Sequence, residues 1–133
     1  MKRHSALRQL SSDHHTGLVL ARKVRQAAEG SVHDQRNGWT TLVTRFRAEL
    51  EPHFQIEETG LLVALSRVGE RELVERTLSE HEDMRRLIAQ DRPENLARFA
   101  ELLTAHIRFE EKVLFARVQD VLGPEQLAKL VVE

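Results

Sequence analysis

Apolar residues recur every three to four positions along almost the whole chain, the period that turns one face of an α-helix toward a core. The first stripe runs through Leu10, His14, Leu18, Ala21, Val24 and Ala28, with Ser11 or Ser12 as its N-cap and Gly30 as its stop. On this reading residues 1–10 form an irregular lead-in, and residues 31–37 form a polar connection closed by Gly38. A second stripe, Val43, Phe46, Leu50, His53, Glu57, Leu61 and Ala64, predicts a helix from Trp39 to about Arg67. Pro52 loosens one of its turns by removing the bond to the Ala48 carbonyl, and Gly60 adds a second soft point. After Gly69 a third helix, over about 70–90, points Leu73, Val74, Thr77, His81, Met84 and Ile88 inward. The fourth starts at Asp91-Arg92-Pro93-Glu94, or nearer Asn95, and carries Leu96, Phe99, Leu103, His106, Glu110 and Val113 toward Leu122. Gly123-Pro124 stops it and opens a short terminal helix over 124–132. The expected fold is all-α: one domain over 1–133, an up-down-up-down four-helix bundle with a short C-terminal helix.

Polar residues intrude on these stripes in a repeated way. Residues 53–62 read His-Phe-Gln-Ile-Glu-Glu-Thr-Gly-Leu-Leu, and residues 106–115 read His-Ile-Arg-Phe-Glu-Glu-Lys-Val-Leu-Phe. In each, the histidine stacks over the first glutamate one turn later, so His53 pairs with Glu57 and His106 with Glu110. Ser12-Asp13-His14 is matched by Ser79-Glu80-His81, so the chain reads as two helical hairpins. Each hairpin supplies a lone histidine and then a histidine with a carboxylate below it. Depth counted from the connections places His14 level with His53, and Glu57 level with His81. His106 joins that level if the fourth helix starts near Asn95 rather than at Arg92.

A single histidine on an apolar stripe is usually a core residue bonded to a carbonyl. Four such histidines and two glutamates in one small core need a different account, because an unpaired buried carboxylate costs several kcal/mol. A shared cation removes that cost, and imidazole nitrogen with carboxylate oxygen suits borderline or hard metals. The candidate ligands are His14, His53, Glu57, His81, His106 and Glu110. His15 points about 100° away from His14 and is the weaker choice. Glu58 and Glu111 lie off the stripes and read as solvated, as do His4, His33 and the pair Arg85-Arg86.

Composition narrows the alternatives. The 133 residues include no cysteine and no tyrosine, which removes thiolate sites, disulfides and tyrosyl radicals. A net charge of −1 gives no broad field for nucleic acid or acidic membranes. No apolar run approaches the ~18 residues of a membrane span, and the basic N-terminus lacks the apolar segment of a signal peptide. A cytoplasmic location is expected. Phosphate loops, His-Glu-x-x-His and EF-hand motifs are absent.

With all six residues in place, the chain resembles the hemerythrin-like domains, the histidine–histidine–glutamate cation-binding family. The matching elements are Asp13-His14, His53-x-x-x-Glu57, Glu80-His81 and His106-x-x-x-Glu110. The resemblance implies a four-helix bundle with two non-haem iron ions, oxo- or hydroxo-bridged. His14 and His53 would bind one iron and His81 and His106 the other, with Glu57 and Glu110 bridging. Oxygen-carrying hemerythrins add a histidine one turn before the third-helix ligand, where this chain has Thr77. They also place the second bridging acid five residues after the fourth-helix histidine, a spacing that selects Glu111, whereas helix geometry selects Glu110. The expected function is binding or sensing of O2, peroxide or nitric oxide; the alternatives are an enzyme reducing peroxide or nitric oxide, or an iron-storage or regulatory module.

Overall fold

The computed structural model describes residues 4–130. Its helices are α1 (Ser5–Ala28), α2 (residues 32–67), α3 (Arg71–Gln90), α4 (residues 96–121, led in by the 3-10 turn Pro93–Asn95) and α5 (Pro124–Ala128). No strand occurs among the described residues. The chain is helical as expected, but several boundaries differ from the sequence reading, each for a physical reason.

Helix α1 starts at Ser5 rather than at Ser11 or Ser12, so residues 5–10 are no lead-in. Nδ1 of His4 accepts the Ala6 N–H and caps the helix, while Ala6, Leu7 and Leu10 bury themselves near Leu61, Leu65 and Phe115. Residues 1–3 lie outside the described residues. The expected polar connection at 31–37 is mostly helix, because Ser31 and Asp34 form a reciprocal capping box that starts α2 at Val32. Gly38 therefore lies inside α2, not at its start. A Cβ built there would come within 2.5 Å of the Ala27 Cβ, so the glycine lets α1 and α2 cross closely. Gly38→Ala should cost about 1–3 kcal/mol of unfolding free energy by urea titration, despite alanine's better helix propensity. A stabilised variant would show that the two helices part without penalty.

Helix α2 contains two five-residue π-turns, Phe46–Leu50 and Glu57–Leu61, and α4 contains a third, Glu110–Leu114. The first lies just ahead of Pro52, and there the Glu51 N–H reaches back five residues to Phe46. The second contains Gly60, so both soft points of the sequence coincide with π-turns. The third moves the register: Val113, expected inside, is 45 % exposed, and Leu114 is fully buried in its place. A π-turn adds one residue per turn, which accounts for that shift. Asp91 takes a left-handed conformation (φ 54°) at the end of α3, so α4 starts at Leu96, the later of the two expected positions. The terminal helix ends at Ala128 instead of 132, and residues 131–133 lie outside the described residues.

Two apolar clusters make the core. One gathers Leu20, Val24, Trp39, Phe46, Phe54, Met84, Phe99 and Leu103. The other gathers Leu7, Leu10, Leu61, Leu65, Phe109, Phe115 and Val118. Each long helix passes from one cluster to the other, and successive helices do so in opposite directions. Along the chain His14, Glu57 and His81 fall between the buried runs of the two clusters, His53 and His106 at the edge of the first cluster, and Glu110 at the edge of the second.

Candidate metal centre

Every histidine on the four stripes is buried, and so are Glu57 and Glu110, both with no exposed surface. His14 is buried and His15 is exposed. Aromatic neighbours hold two of the rings flat. His14 stacks on Phe115 with centroids 5.1 Å apart, and His81 stacks on Phe54 at 3.9 Å. Phe54 comes from the position next to His53, and Phe115 closes the matching block in α4.

The six side chains point at one another. Nε2 of His14 lies 2.7 Å from Glu110 Oε1, and Nε2 of His106 lies 3.0 Å from Glu110 Oε2. Glu57 sits opposite, with its oxygens 3.2 Å from His53 Nε2 and 3.0 Å from His81 Nε2. The ligand atoms fall into two groups of four, His14–His53–Glu57–Glu110 and Glu57–His81–His106–Glu110, each within 4.8 Å. The two carboxylates belong to both groups. Although a π-turn begins at Glu110, that residue and not Glu111 is aimed into the cluster.

Hydrogen bonding leaves the centre incomplete. His53 Nε2, His81 Nε2, His106 Nε2, both oxygens of Glu57 and Oε2 of Glu110 are buried without a hydrogen-bond partner. Buried polar atoms are almost always paired, so six orphans converging on one point are a measurable cost. They are also the donor set that a pair of borderline divalent cations prefers, imidazole nitrogen with shared carboxylate oxygen. The residues present fit metal.

Electrostatics agree with that fit. Burial alone would push the histidines down, but Glu110 and Glu57 outweigh it and hold His53 up to about 11. His106 is held up to about 10 against the same burial, chiefly by Glu110. His14 and His81 are also raised. Burial opposes ionisation of Glu110, yet the histidines around it, His106 foremost, keep its carboxyl well below the ordinary range. The two carboxylates thus favour the positively charged form of the rings around them, the same preference for positive charge that a cation would meet.

The outward ring nitrogens are occupied too. Nδ1 of His14 meets Glu111 Oε2 at 2.6 Å, His53 meets Asp13 at 3.0 Å, His81 meets Glu58 at 2.7 Å and His106 meets Glu80 at 2.7 Å. Glu58 and Glu111, read from sequence as solvated, are half-buried and engaged. Arg85 is not part of a solvated face either, since it bonds both Glu58 and Glu51. The signal that could have found them is the acid directly beside each inward-facing residue, one 100° step off the stripe. His4 and His33 take no part: the first caps α1, and the exposed second meets Asn37.

Thr77 is fully buried one turn before His81, with its hydroxyl donating to the Leu73 carbonyl at 2.7 Å. A cavity of about 340 Å³ opens between α1 and α2 and ends on His14, His53 and His106. Leu20, Leu50, Leu103 and Ile107 wall it, and Asp13 and Glu49 also line it. No helix among the described residues is long and apolar enough to cross a membrane.

The family model described as hemerythrin HHE cation binding domain matches residues 5–118. No curated protein and no solved structure matches the chain.

Proposed function

The chain belongs to the hemerythrin HHE cation-binding domain family, and from that premise we propose that it holds two non-haem iron ions in one bridged centre and binds or senses O2, peroxide or nitric oxide there. The observation that carries this is the pair of four-atom ligand groups sharing Glu57 and Glu110, in which six buried atoms lack any other partner. His14 and His53 would hold one ion, His81 and His106 the other, and the two glutamates both. The alternating direction of the helices between the two apolar clusters supports an up-down-up-down bundle around them. A chain without cysteine suits a reducing cytoplasm.

Iron in such a His/carboxylate set supplies one-electron redox chemistry and open positions for small ligands. The residues of the chain do the rest. The mostly apolar cavity walled by Leu20, Leu50, Leu103 and Ile107 leaves a path for a small ligand to the His14 and His53 side. His81 and Thr77 do not line that cavity, so the other half of the centre is more enclosed.

Thr77 favours a second reading, turnover of peroxide rather than reversible carriage. Its hydroxyl is a neutral, poor ligand and is already committed to Leu73. The half held by His81 and His106 then lacks the third histidine that oxygen carriers place there, so neither ion would have its full set of ligands filled by the chain. Ferrous protein purified without oxygen should contain about two irons per chain, oxidise rapidly in air and consume added peroxide. Thr77→His should slow both reactions. Metal analysis, followed by spectra before and after O2, peroxide and nitric oxide, checks this. A single tightly held zinc would defeat the two-iron reading, and stable reversible oxygenation would defeat the peroxide one.

A further inference from the structure

We infer that Asp13, Glu58, Glu80 and Glu111 are positioning residues for the proposed centre, each taking the Nδ1–H of one histidine and so committing its Nε2 to metal. The inference rests on the two-ion reading above and adds four residues to it. All four contacts lie between 2.6 and 3.0 Å, one per histidine, with none left over.

The pattern of contacts follows the internal repeat. The acid that precedes each lone histidine serves the other histidine of its own hairpin: Asp13 holds His53, and Glu80 holds His106. The acid that follows each inward glutamate reaches across to the opposite hairpin: Glu58 holds His81, and Glu111 holds His14. Four independent surface acids would not reproduce this exchange. It also explains why Glu-Glu occurs twice in the repeat, since the first glutamate faces the ions and the second faces a histidine from behind.

Each carboxylate is itself held. Glu58 is gripped by Arg85, Glu80 by Arg76 at 3.0 Å, Glu111 by the Ser11 hydroxyl at 2.9 Å, and Asp13 by the Gln9 amide at 3.0 Å. A neutral imidazole carries one N–H and can place it on either nitrogen. A carboxylate fixed behind Nδ1 selects the tautomer with the lone pair on Nε2, orients the ring and strengthens it as a donor. The two cross-hairpin contacts couple that selection to the docking of the hairpins, so the centre is assembled only when both are in place.

The test compares Glu58→Ala with Glu58→Gln, whose amide oxygen can still accept the His81 Nδ1–H. Glu82→Ala is the control, because Glu82 also pairs with Arg85 but touches no histidine. Anaerobic competition between Fe2+ and a chelator should show one of two binding steps weakened about 10–100-fold in Glu58→Ala, mostly recovered in Glu58→Gln, and unchanged in Glu82→Ala. Nitrogen-15 spectra of the Zn2+-loaded protein should show His81 protonated at Nδ1, and Glu58→Ala should expose that proton to exchange. If Glu58→Ala folds poorly, Asp13→Ala against Asp13→Asn makes the same comparison for His53 at a more exposed acid. Equal affinity in the alanine and unmodified proteins, equal loss in the alanine and amide variants, or a proton on His81 Nε2 would overturn the positioning role. An unmodified protein that takes up no Fe2+ would instead overturn the metal centre itself.

Discussion

Glu110→Gln is expected to abolish the uptake of both ions, while Glu111→Gln keeps them. Glu110 is fully buried and lies within 4 Å of a ring nitrogen of each of the four histidines: 2.7 Å from His14, 3.9 Å from His53, 3.8 Å from His81 and 3.0 Å from His106. Glutamine keeps the shape but replaces an anionic oxygen with an amide nitrogen that donates hydrogen bonds and cannot bridge cations. Affinity should fall by more than the roughly 100-fold typical of losing an outer partner. The metal-free protein suffers as well, because removing the anion from a buried ionic cluster costs on the order of 3–5 kcal/mol. Glu111 is half-buried and accepts from His14 Nδ1, a bond that a glutamine oxygen can still take. Iron analysis and melting curves of the two variants check the contrast. Iron lost only from Glu111→Gln would mean that the π-turn after Phe109 re-aims the chain when metal binds.

The residues now placed in the cluster were readable from sequence because a helix repeats every 3.6 residues. His53 with Glu57 and His106 with Glu110 fall on the stripes that bury Phe46, Leu61, Phe99 and Leu103, so their inward direction needed no tertiary information. The start of α1 did need it, since Leu7 is buried by Leu61, Leu65 and Phe115, residues far along the chain. The capping box at Ser31 and Asp34 is written as Ser-x-x-Asp, but it opens a polar segment with no apolar stripe to mark a helix. Val113 was misplaced because a π-turn leaves no periodic trace. The π-turn turns both Glu110 and Leu114 inward, a placement that depends on what the other helices set against them. Asp13, Glu58, Glu80 and Glu111 were overlooked as partners because an acid one step off an apolar stripe is ordinarily solvated. Only the position of a histidine from another helix distinguishes them.

Removing metal should lower the melting temperature by roughly 12–20 °C, and the gap should widen as pH rises. The size follows from linkage: a ligand at about 1,000 times its dissociation constant adds about 4 kcal/mol to the folded state, and in a domain of this length ~1 kcal/mol moves the midpoint by roughly 3–5 °C. The pH effect follows from the protons that stand in for metal. In the metal-free protein His53 is held up to about 11 and His106 to about 10, both above the ordinary 6.5. A group whose folded pKa is raised stabilises fully below its unfolded value and loses that contribution as pH climbs through the folded one. The metal-free protein therefore weakens progressively above about pH 6.5 and has lost this support beyond about pH 11. Glu110 acts on the other side: its lowered pKa stabilises above the ordinary 4.5 and is lost in acid. Metal binding displaces the protons on Nε2, so the metal-bound protein tightens over the range in which the metal-free protein weakens. Melting curves with and without Fe2+ under nitrogen, at about pH 6 and about pH 8, measure both effects. Identical curves would mean that the six orphaned atoms are satisfied by protons and water alone, and a gap that narrows with pH would mean that Nε2 is not where the metal binds.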